Sequence, residues 1–100
     1  MLKHIVLFKL KESAEAASKE QNAKIVKHDL EALKGKIPQI RHLEVGINCI
    51  PGETAYDIAI YSEFADEKEL SIYMKHPEHV KVAEFIGKVR ESRVVVDYVI

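Results

Sequence analysis

Residues 2–10, Leu-Lys-His-Ile-Val-Leu-Phe-Lys-Leu, alternate with the period of a strand, yet they are apolar on both faces at the centre. Leu2, His4, Val6, Phe8 and Leu10 form one face, while Ile5 and Leu7 sit between Lys3 and Lys9 on the other. The closing segment Arg93–Ile100 does the same, with Val94, Val96, Tyr98 and Ile100 on one side and Val95 and Val99 on the other. Both strands need cover on two faces, and a chain of 100 residues has enough mass for one core and little beyond it.

What lies between them supplies part of that cover. Ala23, Val26, Leu30, Leu33 and Ile37 recur three and four apart, which predicts an amphipathic helix from about Ser13 to Lys34. Ser13 and Ser18 are both candidate N-caps, and Ser18 has Gln21 three residues on, in capping-box spacing. Gly35 suits a left-handed C′ position and Pro38 stops continuation. Ile40–Ile50 and Tyr56–Phe64 alternate as strands around the turn Pro51-Gly52-Glu53-Thr54, which predicts a hairpin. Asp66 then caps a short helix ending at Tyr73 or Met74. Pro77 starts another, whose apolar content is Val80, Val82, Ala83 and Ile86, with Gly87 near its end.

The order strand, helix, strand, strand, helix, strand is the ferredoxin-like βαββαβ arrangement. It is an α+β fold in which a four-stranded antiparallel sheet carries its helices on one face, here as a single domain over residues 1–100. No repeat or low-complexity stretch competes with it. Two helical elements cover one sheet face only. With the first and last strands taken as central, the apolar residues on the other face form a patch larger than the few hundred Å2 that monomers usually expose. A second copy packed sheet to sheet covers it, so a homodimer is expected. The alternative is that these residues are exposed one by one at edges.

Charge and cysteine content narrow the setting. Fifteen basic residues against 16 acidic ones give a formal net charge of −1, and the two signs are interleaved, so the clustered basic surface of a nucleic-acid binder is missing. No apolar run approaches the ~20 residues that span a bilayer, and the N-terminus lacks the order of a signal peptide, which makes a cytoplasmic location the expectation and a membrane partner unexpected. The one cysteine, Cys49, makes neither an intramolecular disulfide nor a thiolate zinc site. Stability must come from packing.

Chemistry concentrates in Leu70-Ser71-Ile72-Tyr73-Met74-Lys75-His76-Pro77-Glu78-His79-Val80. Pro77 drives His76 out of helical geometry and suits the first helical position itself, which puts Glu78 and His79 in the first turn of the last helix. A helix N-terminus disfavours a cation, so a His there is biased towards the neutral form and can serve as a base. Tyr73 precedes the break, and a helix-break-helix corner can bring its hydroxyl and the His79 ring to one cavity mouth. The bland alternative is a Tyr packing its ring on the core and a His capping a turn. A metal reading of His76 and His79 lacks further ligands, and no metal is expected.

His4 shares a strand face with Val6 and Phe8 and is either a pocket residue or a satisfied strand-end His. Asp57, near the start of the third strand, is either a pocket carboxylate or a solvated hairpin end. His28 and His42 read as surface residues. Gly-rich phosphate loop, dinucleotide fingerprint and nucleophile elbow are all missing from the sequence, so any chemistry is expected to need no cofactor.

Taken together, His4-Ile5-Val6-Leu7-Phe8-Lys9-Leu10-Lys11, the helix ending at Ile37-Pro38, Tyr56-Asp57-Ile58-Ala59, Tyr73-x-x-His76-Pro77-x-His79 and Val96-Asp97-Tyr98 resemble the stress-responsive A/B barrel (Dabb) family over essentially the whole chain. The resemblance implies a dimeric α/β barrel in which two sheets pack face to face, with a cavity between sheet and helices for a small, largely apolar molecule. It also implies an alternative, a cofactor-free cyclase or lyase similar to plant polyketide cyclases. There a Tyr and a His at the spacing of Tyr73 and His79 act as the acid/base pair on a polyketide-like ligand, with His4, Asp57 and His76 as further substrate-binding candidates. Asp57 stands where that branch has a His, which changes the charge of the pocket. Fold analogy alone adds a third reading, an antibiotic-biosynthesis-type monooxygenase.

Overall fold

A computed structural model describes residues 1–100. Strand β1 (Leu2–Leu10) leads into a two-strand miniature hairpin, β2 (Ser13–Ala14) and β3 (Ala17–Ser18), and then into α1 (Lys19–Glu31), which tightens into a 3-10 turn over Ala32–Gly35. Strands β4 (His42–Ile47) and β5 (Ile58–Phe64) follow, then α2 (Glu67–Lys75), α3 (Pro77–Val89) and β6 (Arg90–Val99). The main sheet is antiparallel in the order β4-β5-β1-β6, the ferredoxin-like arrangement.

The sheet differs from the sequence expectation in one consequential way. Central positions belong to β1 and β5, whereas β6, the last strand, lies at an edge. It also starts three residues early, because α3 passes straight into it with Arg90 as C-cap.

Helix α1 is shorter than its periodicity suggests. Ser18 is the N-cap: its Oγ accepts from the Gln21 N–H while the Gln21 side chain accepts from the Ser18 N–H, the reciprocal pair of a capping box. Residues 13–18, read as the start of the helix, instead form the β2–β3 hairpin, whose two-residue turn holds Glu15 at φ 50° and Ala16 at φ 59°. No glycine has positive φ, so Gly35 does not take the left-handed cap position; the 3-10 turn ends the helix instead.

Alternation along β1 decides where the core sits. Leu2, His4, Val6, Phe8 and Leu10 are all buried beneath the helices, while the residues between them are half-buried. Val26, Leu30 and Leu33 from α1 and its extension, with Ile37, meet Leu43, Val45, Ile58, Ile60 and Phe64 from the sheet and Ile86 and Val89 from α3. The Lys27 ammonium reaches over to donate to the Val45 carbonyl and joins α1 to the edge strand β4.

The other sheet face has no helix over it. Register places Ile5 beside Tyr61 and Val96, Leu7 beside Ala59 and Val94, and Lys3 beside Tyr98. Val94, Val96 and Tyr98 are exposed by 43%, 53% and 38%, which is high for a contiguous apolar row. A polar cluster borders it, in which Glu63 accepts from the Lys3 ammonium at 2.8 Å and from the Tyr61 hydroxyl at 2.6 Å. The helices also stop short of β6, so Val95, on their own side of the sheet, is 46% exposed.

Candidate functional site

Helices α2 and α3 are separated by a single residue. His76 takes an extended conformation, φ −62° and ψ 134°, as expected before a proline ring that clashes with helical geometry. Its imidazole Nδ1 accepts from the Glu78 N–H at 3.1 Å and so caps α3, and its ring does not line the cavity described next. The sharp break folds α3 back so that Tyr73, in the last turns of α2, meets His79, in the first turn of α3. Their ring centroids are 4.5 Å apart, inclined at 53°. Phe64 supports the Tyr73 ring from β5 at 4.9 Å.

These two rings form part of the wall of a cavity of about 210 Å3 between sheet and helices. Most of its lining is apolar, with Val6, Phe8 and Ile60 from the sheet and Leu30 and Ile86 from the helices. The polar groups are His4, Tyr73, His79, Arg90 and Arg93.

The surroundings of His79 and Tyr73 bias the form that each takes. The His79 Nδ1–H donates to the Met74 carbonyl at 3.1 Å, since a carbonyl can only accept, and this leaves Nε2 as the free lone pair. Burial lowers the His79 pKa below its ordinary value; the Met74 carbonyl opposes this, and the charges of His4, Arg93 and His76 add to the lowering. Desolvation is thus the leading cause of the shift. Tyr73 is 2% exposed, and burial pushes its phenol up to about 12, partly offset by the Arg93 charge, with no hydrogen bond acting on it. A neutral imidazole beside a protonated phenol can take a proton at one point of a ligand and donate a hydrogen bond at another.

His4 is buried on the sheet side. Its Nδ1–H donates to the Asp97 carboxylate at 2.5 Å, across the β1–β6 register in which His4 and Asp97 are direct partners. Asp57 lies elsewhere: its carboxylate accepts from the Leu10 N–H at 2.7 Å and faces the Lys19 ammonium at 3.5 Å, while its own N–H donates to the Phe8 carbonyl at 2.9 Å. It ties the end of β1 to the entry of β5 and does not line the cavity. No group of three or more His, Cys, Asp or Glu side chains is placed to hold a metal ion.

Asp97, Arg90 and Arg93 were not among the candidates, although the signal was present. Alternation puts Arg93 and Asp97 on the same side of β6 as Val95, and antiparallel pairing with β1 then puts them beside Phe8 and His4.

A ferredoxin-like α+β domain with a cavity between sheet and helices, lined by a Tyr–His pair, is the class that this fold and geometry define. The family model for the stress responsive A/B barrel domain matches residues 2–100, and the chain belongs to that family. It is 34% identical over 79 residues to an uncharacterised protein of Streptomyces coelicolor, an alignment covering 79% of each chain. Among solved structures, a dimeric protein of unknown function and ferredoxin-like fold from Bacteroides fragilis superposes with a TM-score of 0.86 at 41% identity, covering 99% of this chain and 95% of that one. The hydroxynitrile lyase of Passiflora edulis shares the fold with a TM-score of 0.79 at 21% identity, covering 99% and 92%. No helix is long and apolar enough to cross a membrane.

Proposed function

We propose that this protein is a homodimer, paired through the open sheet face, whose cavity binds a small, largely apolar molecule and performs proton transfer on it. The observation that carries the reading is the convergence of a neutral His79 and a protonated Tyr73 in one apolar cavity. His79 Nε2 takes a proton from a carbon next to a carbonyl. The Tyr73 hydroxyl donates to the carbonyl oxygen as negative charge grows on it, and the buried surroundings strengthen that hydrogen bond. His4, oriented by Asp97, lines the same cavity and adds a polar ring to it. Neither step needs a cofactor, and proton abstraction of this kind is shared by cyclisations, lyase reactions and isomerisations. The Passiflora edulis neighbour, a hydroxynitrile lyase, supports a fold able to host lyase chemistry.

The apolar row Ile5, Leu7, Val94 and Val96 supports the dimer, as does the dimeric state of the Bacteroides fragilis neighbour. Exposed Cys49 fits a reducing compartment, which supports a cytoplasmic location.

The test is hydrogen–deuterium exchange at carbon. Small ketones and keto acids with apolar bodies are incubated with the protein in D2O, and loss of the signal from protons next to the carbonyl is followed by NMR. Wild type is expected to accelerate exchange for at least one of them. His79→Gln should lose about 100-fold or more of the acceleration, and Tyr73→Phe at least about tenfold. No acceleration across the panel, or equal rates in wild type and His79→Gln, contradicts the reading.

A further inference from the structure

Two arginines line a cavity that offers them no counter-charge. Arg90 caps the C-terminus of α3, and Arg93 lies three residues further on β6 in register with Phe8. The ion pairs of the chain are made by lysines and histidines, and neither arginine takes part in one. No Asp or Glu lines the cavity, and the neighbouring acid Asp97 is held by the His4 ring. Arg93 is exposed, which puts it at the opening, and its charge is felt by both Tyr73 and His79. A guanidinium presents a rigid fork of donors that matches the two oxygens of a carboxylate, and such a pair is strengthened where apolar walls exclude water.

Size sets the rest of the ligand. A cavity of about 150 Å3 holds a benzene ring, so about 210 Å3 takes a ring together with a short substituent. We infer that the cavity is a carboxylate site. It takes a small monocarboxylate with an apolar body about the size of an arylacetate, the body filling the lining against Tyr73 and His79 and the carboxylate paired with Arg93 and Arg90. This rests on the reading of the cavity as a small-molecule site and adds the charge of its ligand.

Phenylacetate, its neutral isostere phenylacetamide, and phenyl phosphate are titrated into the intact protein, with binding read from the methyl NMR signals of Val6, Leu30, Ile60 and Ile86. Phenylacetate is expected to bind about tenfold or more tightly than the amide, with that preference shrinking as salt is raised. Arg93→Gln should remove most of the preference and Arg90→Gln part of it, while Lys81→Gln, away from the cavity, should leave it intact. Equal binding of acid and amide with the cavity methyls shifted, or a preference that survives both arginine substitutions, overturns the carboxylate assignment and leaves the cavity reading standing. Tighter binding of phenyl phosphate overturns it in favour of a phosphate ligand. No response of the cavity methyls to any of the three probes overturns both.

Discussion

His79 is biased towards its neutral form by where its ring lies rather than by what it bonds. Its one hydrogen bond, to the Met74 carbonyl, favours the cation, and desolvation outweighs it. The sign of the effect on stability follows. With a pKa below about 6.5 in the folded chain and an ordinary one in the unfolded chain, the unfolded state binds more protons as pH falls. The stabilisation is therefore complete above pH 6.5 and is lost as pH drops through the lower folded value. Denaturant unfolding from pH 8 to pH 5 should show wild type losing stability below pH 6.5 along a steeper slope than His79→Gln. Tyr73→Phe removes a hydroxyl that no hydrogen bond uses, so its unfolding free energy should lie within about 1 kcal/mol of wild type. The positions of these two residues were legible in the sequence, because a proline fixes the break and the spacing then fixes which turns face each other. His76 and Asp57 were harder to place. A histidine that caps a helix and an aspartate that ties two strand ends carry the same composition as pocket residues, and only their backbone partners tell them apart.

Among the elements, the hairpin at residues 13–18 is where periodicity misled. Short polar and small residues, Ser13, Ala14, Ala16, Ala17 and Ser18, satisfy a helical pattern as readily as a turn, and no Gly or Asn marks the two positive-φ positions. Asn22 supplies the tertiary constraint: from within α1 it is buried and its amide donates to the Ala14 carbonyl at 3.0 Å. A left-handed Ala is strained, so Ala16→Gly is expected to raise stability by about 0.5–1 kcal/mol, measured by chemical denaturation. Ser18→Ala, which removes the Oγ that accepts from the Gln21 N–H, should lower it by about 1 kcal/mol. The β-strands and the apolar stripe of α1 were legible because burial of alternate or helically spaced residues is the force that forms them. The edge position of β6 was not, since apolar residues on both faces suit a central strand and an edge strand that meets a partner equally well.

At the scale of the whole molecule, one sheet carries two kinds of surface. One face is closed by helices over a cavity, and the other presents Ile5, Leu7, Val94 and Val96 without cover from its own chain. Pairing of two such faces would relieve the exposure, and sedimentation at micromolar concentration should give twice the chain mass of 11.4 kDa. Val96→Glu places a charge in the middle of that row and should shift the protein towards monomer. Because Arg93 and Asp97 sit on the cavity side of the same edge strand, the uncovered apolar row and the cavity wall share β6. The central claim, that His79 and Tyr73 form an acid/base pair, is tested most directly by the pH dependence of carbon-bound proton exchange on an accepted ligand. The rate is expected to rise with pH through an inflection below 6.5 and then stay level across the range in which Tyr73, with its pKa near 12, remains protonated. His79→Gln should abolish the inflection. A rate with no inflection in wild type, or the same profile in His79→Gln, would contradict the account.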